Sequence, residues 1–100
     1  MVLKLWLDDC RPAPEGWTWH FHVDDIIDDI KWLMRHGEAI EIISLDNDLG
    51  EREREGYKVL DWLESLQKPV DFGIHIHSAN PVARERMRAI IRRNGWKEIL

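Results

Sequence analysis

Three apolar runs in this chain each end on a cluster of acids or imidazoles, and that repeated ending limits the fold more than any other feature. Val2 to Leu7 runs into Asp8-Asp9, Ala39 to Leu45 runs into Asp46-Asn47-Asp48, and Val70 to His77 carries His75 and His77 and runs on into Ser78. Nearly continuous apolar runs of this length are what strands covered on both faces require. In an open parallel sheet the strands' carboxyl ends face one crevice, where ligands bind at the point of reversal of strand order. Asp8, Asp9, Asp46, Asp48, His75, His77 and Ser78 are therefore expected in one place. Like charges that close raise one another's pKa, so the cluster works against stability and points to a bound cation or to phosphate chemistry.

The segments between these runs supply the rest of an α/β fold. Trp17, Trp19, Phe21 and Val23 alternate with Thr18, His20 and His22, the period of an edge strand with one dry face. From Asp24 the period becomes helical: Val23, Ile26, Ile27, Ile30, Leu33 and Met34 share a stripe that stops at Gly37, while Asp24, Asp25, Asp28 and Asp29 face out. Tyr57 to Gln67 reads as a helix with Val59, Leu60, Leu63 and Leu66 inward, halted before Pro69. Val82 to Asn94 reads as a third, with Val82, Met87, Ile90 and Ile91 inward, Pro81 at its first position and Gly95 just past its end. Trp96 to Leu100 is expected to pack against it.

The order β, β, α, β, α, β, α predicts a parallel sheet of about four strands with helices on its faces. One link lacks its helix. Asp9 to Gly16 holds Pro12 and Pro14, which keep it extended. Eight or nine extended residues reach about 27 to 30 Å, enough to retrace a strand of about 20 Å. A proline-rich loop thus replaces the first crossover helix. Asp46 to Gly56 is a loop, and its stretch Glu51-Arg52-Glu53-Arg54-Glu55 reads as a solvated insertion placed as a lid over the crevice.

With 100 residues, 44% hydrophobic, the chain suits a single domain over 1–100, and its 6 Trp let so small a core bury enough surface to fold. Cys10 has no partner for an internal disulfide. With no apolar leader at Met1 and no apolar run near about 20 residues, the expectation is a soluble, cytoplasmic protein without a membrane segment. The net charge of −5 argues against nonspecific binding to long nucleic acid, duplex DNA included. Arg84, Arg86, Arg88, Arg92, Arg93 and Lys97 nevertheless make the last fifth basic, either as a solvated helix face or as a contact for a phosphate-bearing ligand.

Buried carboxylates need a positive partner. Arg11 can serve Asp8 and Asp9; so can a hard cation such as Mg²⁺, which takes oxygen ligands. Asp46 and Asp48 occupy the first and third positions of a calcium-loop pattern, but Glu51 and Tyr57 stand where that pattern needs Gly and Glu, so calcium is set aside. His75 and His77 share a strand face, and His77 lies nearer the crevice, where an imidazole ligates a softer metal or moves protons near pH 7. His75 reads as a core residue, His22 as able to reach the crevice, and His20 and His36 as surface. Ser78 and Asn80 are helix caps, and the free amides of that helix start, with Arg84 one turn in, form the most plausible anion cradle in the chain.

Taken in order, Leu5-Trp6-Leu7-Asp8-Asp9-Cys10-Arg11-Pro12-Ala13-Pro14-Glu15-Gly16-Trp17, Ser44-Leu45-Asp46-Asn47-Asp48-Leu49-Gly50, Gly56-Tyr57-Lys58-Val59-Leu60 and His75-Ile76-His77-Ser78-Ala79-Asn80-Pro81-Val82 resemble the cyclic-phosphate processing receiver domains over nearly the whole length. The resemblance implies a three-layer receiver-like, flavodoxin-like fold. In response-regulator receivers an acidic pair after the first strand and an aspartate after the third hold Mg²⁺ and accept phosphate. Asp8, Asp9 and Asp46 match those positions, and Ser78 matches the hydroxyl after the fourth strand. Arg11, Asp48, His77 and Asn80 match the family's additions, which imply phosphoester chemistry on cyclic phosphates instead of signalling. Asn47 and Ala83 depart from the family's usual His and Gly, and the fifth strand with its lysine is missing.

The expectation is a metal-dependent phosphoesterase using Mg²⁺ or Mn²⁺ on a 2′,3′-cyclic RNA end or a cyclic nucleotide. Asp8, Asp9 and Asp46 would hold the metal, Asp46, His77 and Asp48 would do the chemistry, and Arg11, Ser78, Asn80 and Arg84 would bind phosphate. Two alternatives stand beside it. One is a non-catalytic phosphoacceptor or nucleotide-binding module; the other is a structural receiver that meets a protein partner through Trp32 or Trp62.

Overall fold

A computed structural model describes residues 3–50 and 53–100 of the chain. Its elements are β1 (Leu3–Leu7), β2 (Thr18–His20), α1 (Val23–Arg35), β3 (Ile40–Leu45), α2 (Tyr57–Ser65), β4 (Gly73–Ile76) and α3 (Pro81–Asn94). The sheet is parallel throughout in the order β2-β1-β3-β4. Residues 8–17, with their two prolines, join β1 to β2 without a helix. Val2 lies outside the described residues, as do Glu51 and Arg52 of the charged stretch.

Register sorts the sheet into two faces. Leu5 pairs with Ile43 and Ile43 with Ile74, and Leu7 pairs with Leu45 and Leu45 with Ile76, so these six side chains share one face, all buried. Crossovers between parallel strands are right-handed. The links β2-α1-β3 and β3-α2-β4 both advance the same way along the sheet, which puts their helices on one face, and α3 packs on α2 as α2 packs on α1. The core therefore lies between that face and the three helices, joined there by Val23, Ile26, Ile30, Val59, Leu60, Leu63, Met87 and Ile91. The layer expected on the other face is not helical. There Trp6, Trp19, Ser44 and His75 stand in register, with Trp17 edge-on to Trp6 at 5.7 Å.

The helical stripes fall as read in α1 and α2, and Asn80 caps α3 through its own side chain while Gly95 ends it at φ 67°. Four readings change. The buried stripe of α3 is Ala83, Met87, Ile90 and Ile91, which leaves Val82 on the outer side at 75% exposure. β2 keeps only three residues, and His20 turns toward α1 to bond Asp29 at 2.8 Å, so the tryptophans face the other way. Gly73 begins β4, three residues later than the apolar run. The tail does more than pack on α3: a parallel bridge pairs Glu98 with Ile74 on the free edge of β4, a rudiment of the fifth strand that looked missing. No helix among the described residues is long and apolar enough to cross a membrane.

Candidate functional site

The last ladder bonds of the sheet hold the three chemical clusters together. Asp46 N–H donates to Leu7 O at 2.9 Å, His77 N–H to Leu45 O at 3.0 Å, and Asp8 N–H to His20 O at 3.0 Å. Strand order reverses between β1 and β3, the place where α/β sheets bind ligands, and Asp8 and Asp46 flank it.

Asp8 is fully buried. Its Oδ1 accepts the backbone N–H groups of Cys10 at 2.8 Å and Arg11 at 2.9 Å. Its Oδ2 accepts from His77 Nε2 at 3.0 Å and meets Arg11 Nε at 3.2 Å. Burial pushes its pKa up, but the two backbone donors and His77 outweigh that, so it sits below the ordinary carboxylate value and Asp8 is an anion. Asp46, 7% exposed, goes the other way. Burial raises its pKa; the Asn47 N–H on Oδ1 at 2.9 Å opposes this, the charges of Asp8 and Asp48 reinforce it, and Arg11 counters only in part. The Arg11 guanidinium, half exposed, reaches both sides, with Nη2 3.8 Å from Asp46 Oδ1.

Asp8, Asp9 and Asp46 each place a carboxylate oxygen within 4.8 Å of the others. An all-oxygen donor set of this kind is of the type that suits a hard divalent ion such as Mg²⁺ or Mn²⁺. The residues fit such a group.

His77 is pressed flat on Trp6, ring centroids 3.9 Å apart at 6°, and its Nδ1 lies 2.7 Å from Ser44 Oγ. Its side chain is 7% exposed. Burial takes its pKa down to about 4, further than the neighbouring Asp8 anion can restore. The sign of the consequence is definite: a His depressed in the folded state lends stability that is present above 6.5 and lost as pH falls through about 4. Acidification from pH 7 to pH 4 is therefore expected to remove about 3 kcal/mol at most through this one group. Urea titrations at the two pH values on wild type and His77→Gln check this; equal losses in both would show that His77 is not the cause.

The remaining predicted residues divide. Asp48 joins the rim of the crevice, bonded by Asn47 Nδ2 at 3.2 Å and reached by Asn80 Nδ2 at 3.5 Å. Ser78 Oγ accepts Asn80 N–H at 3.1 Å, and Asn80 Oδ1 accepts Ala83 N–H at 3.2 Å, so both are engaged as caps. Arg84 is not directed at the acids: Nη1 donates to Ser78 O at 3.1 Å, and the side chain lines a cavity of about 330 Å³ with His75, Arg88 and Glu98. His22 stands at the N-cap position of α1, where its side chain makes no capping bond and pairs with Glu53, and His36 bonds Trp32 O. The charged loop is anchored where it is described, through Arg54 on Asp24 and Glu55 on Asn47.

Sequence reasoning passed over Ser44 and Trp6. Ser44 had a signal, being the polar residue two positions before Asp46 in an apolar run and so on the same face. Asn47 is fully buried, and its Oδ1 accepts Tyr57 N–H at 3.1 Å to tie the loop to α2.

No curated protein matches this chain. The family described as Cyclic-phosphate processing Receiver domain matches residues 3–93, and the chain belongs to it.

Proposed function

We propose that the crevice is a metal-dependent phosphoesterase centre that opens a cyclic phosphate on a nucleotide or an RNA end. The observation that supports it is the trio Asp8, Asp9 and Asp46 within 4.8 Å, beside Arg11 and His77. A divalent cation held by the trio supplies charge neutralisation for phosphate and a more acidic water. Arg11 binds phosphate oxygens in a charge-assisted fork. The Asp46 carboxylate, at the end of β3, takes a proton from the attacking water. As one P–O ester bond breaks, the leaving sugar oxygen takes the proton from His77 Nε2, and a monoester is released. Asp48 and Asn80, joined across the rim, border the entrance.

The test is ³¹P NMR of an oligonucleotide ending in 2′,3′-cyclic phosphate with Mg²⁺ or Mn²⁺. Wild type is expected to convert the cyclic resonance to a monoester, with Asp46→Asn slower by about 10³-fold and His77→Ala by about 10²-fold or more. Added Mg²⁺ is expected to raise the melting temperature of wild type and not of Asp46→Asn, a stabilisation of about 3 kcal/mol at a hundredfold excess over Kd. An unchanged resonance with wild type rejects hydrolysis of that substrate. A second reading, a phosphoacceptor without turnover, is favoured by the place of Asp46 at the end of β3; acid-labile phosphate on Asp46 after treatment with a small phosphodonor would select it.

A further inference from the structure

The space that Arg84 lines beside β4 is not used by the proposed reaction. This cavity of about 330 Å³ is walled by His75, His77, Arg84, Arg88, Glu98 and Ile99. The tail fixes its outer side: Ile74 N–H donates to Lys97 O at 2.9 Å and Ile99 N–H to Ile74 O at 2.8 Å, which holds Glu98 and Ile99 along the strand edge. Two guanidiniums meet one carboxylate there. Arg88 Nε donates to Glu98 Oε2 at 3.0 Å, and its other acid, Glu85, lies 3.8 Å from Nη1 in an exposed position where water screens it. Arg84 commits one of its five N–H groups to Ser78 O at 3.1 Å and, among the described residues, pairs with no carboxylate. A half-buried guanidinium in that state calls for an anion. His77 belongs to both spaces, lining this cavity while its Nε2 lies 3.0 Å from Asp8 Oδ2.

We propose that this cavity is a second anion site, in which Arg84 and Arg88 hold the phosphodiester that precedes the cyclic phosphate of an RNA end. The choice of RNA ends over cyclic mononucleotides rests on the phosphoesterase reading of the crevice; the anion site itself does not. Three features select a diester. Two guanidiniums against Glu98 leave a surplus of one positive charge, which matches the single charge of a diester, whereas a terminal monoester carries nearly two at pH 7. The wall shared through His77 sets the cavity next to the crevice, as a phosphate one nucleotide along the same strand requires. Ile76, Ile99 and Leu100 add apolar lining, which suits a ribose or a base and gives a free inorganic ion nothing to meet. A cyclic mononucleotide has no second phosphate and leaves both arginines unused.

Spectra that read the arginine Nε–H groups of the ¹⁵N-labelled protein test the site without turnover. A diribonucleoside monophosphate, with one diester and no cyclic end, is expected to shift the Arg84 and Arg88 signals saturably, and the parent nucleosides are not. No shift at millimolar diester overturns the site, and this needs no variant to fold; an equal response to inorganic phosphate overturns the diester assignment. Arg84→Gln is expected to weaken the diester at least about tenfold, whereas Glu98→Gln, which enlarges the positive surplus, is expected to tighten it. Weaker binding by Glu98→Gln overturns the charge match. In the ³¹P assay, wild-type kcat/KM for a dinucleotide ending in 2′,3′-cyclic phosphate is expected to exceed that for the cyclic mononucleotide at least about tenfold. Arg84→Gln and Arg88→Gln are expected to reduce that ratio, mainly through KM. Equal kcat/KM for the two substrates would overturn the assignment to RNA ends. Saturable shifts with no turnover of either substrate would reject the phosphoesterase reading and leave the anion site standing.

Discussion

Gly56→Ala is expected to lower the melting temperature by more than about 10 °C, because an added Cβ would lie 1.8 Å from Asp46 O and 2.8 Å from Asp46 C. The dihedrals of Gly56, φ −58° and ψ −29°, suit any residue, so the demand is one of space. Gly56 N–H donates to Asn47 O at 2.8 Å, drawing the start of α2 against the backbone of the site loop. No side chain can turn aside there. Relief requires moving α2 or Asp46, and overpacking against backbone belongs at the upper end of about 1–3 kcal/mol or beyond. For a domain of this size about 3 kcal/mol corresponds to at least about 12 °C. Gly37→Ala is the control: a Cβ there meets nothing within 4 Å, and its φ of 67° costs about 1–2 kcal/mol through left-handed strain alone. If the two variants melt together, close approach at Gly56 is not what holds the site loop to α2.

Asp8→Ala is expected to cost about 3 kcal/mol or more in urea unfolding at pH 7. The change strips the acceptor from Cys10 N–H, Arg11 N–H and His77 Nε2 and leaves the Arg11 guanidinium without its nearer anion. A buried donor left unpaired costs about 1–3 kcal/mol, which applies to His77 Nε2; Cys10 and Arg11 are exposed, so their N–H groups lose less. Part of this is offset, because removing Asp8 relieves the repulsion that raises the Asp46 pKa. The penalty has a pH signature. The Asp8 pKa is lowered in the fold, so its stabilisation is present above the ordinary value of 3.8 and lost as pH falls through the lower folded one. The gap between wild type and Asp8→Ala is therefore expected to be full at pH 7 and to narrow in strong acid. A variant within about 1 kcal/mol of wild type at pH 7 would mean that the donors around Asp8 find other acceptors.

Much of the fold was legible because its causes are local. The stripe Val23, Ile26, Ile27, Ile30 and Leu33 specifies α1, and Pro81 with Gly95 brackets α3, since capping and helical period need only neighbours in sequence. The site was legible for a related reason: strands that alternate with helices run parallel, so residues after each strand must meet. Asp8, Asp46 and His77 followed from that rule. What escaped is what pairing decides. The aromatic alternation around β2 gives its period but not its side, and the register of β2 on β1 turned His20 inward. Val82 is apolar but lies outside the stripe that Ala83 and Met87 set. Ser44 looks like a gap in a strand until His75 and His77, more than thirty residues away, are brought to 2.7 Å.

By itself, then, the sequence determined the elements, their parallel order and the meeting of acids, arginine and histidine at one sheet edge, because period, capping and crossover handedness act over short stretches of chain. Only the tertiary structure decided which face the helices cover, that the tail extends the sheet beyond β4, and that Arg84 turns from the acids to Ser78. Those outcomes depend on distances between residues far apart in the chain, and a hydrogen bond or a pKa responds to ångströms that no spacing in sequence encodes.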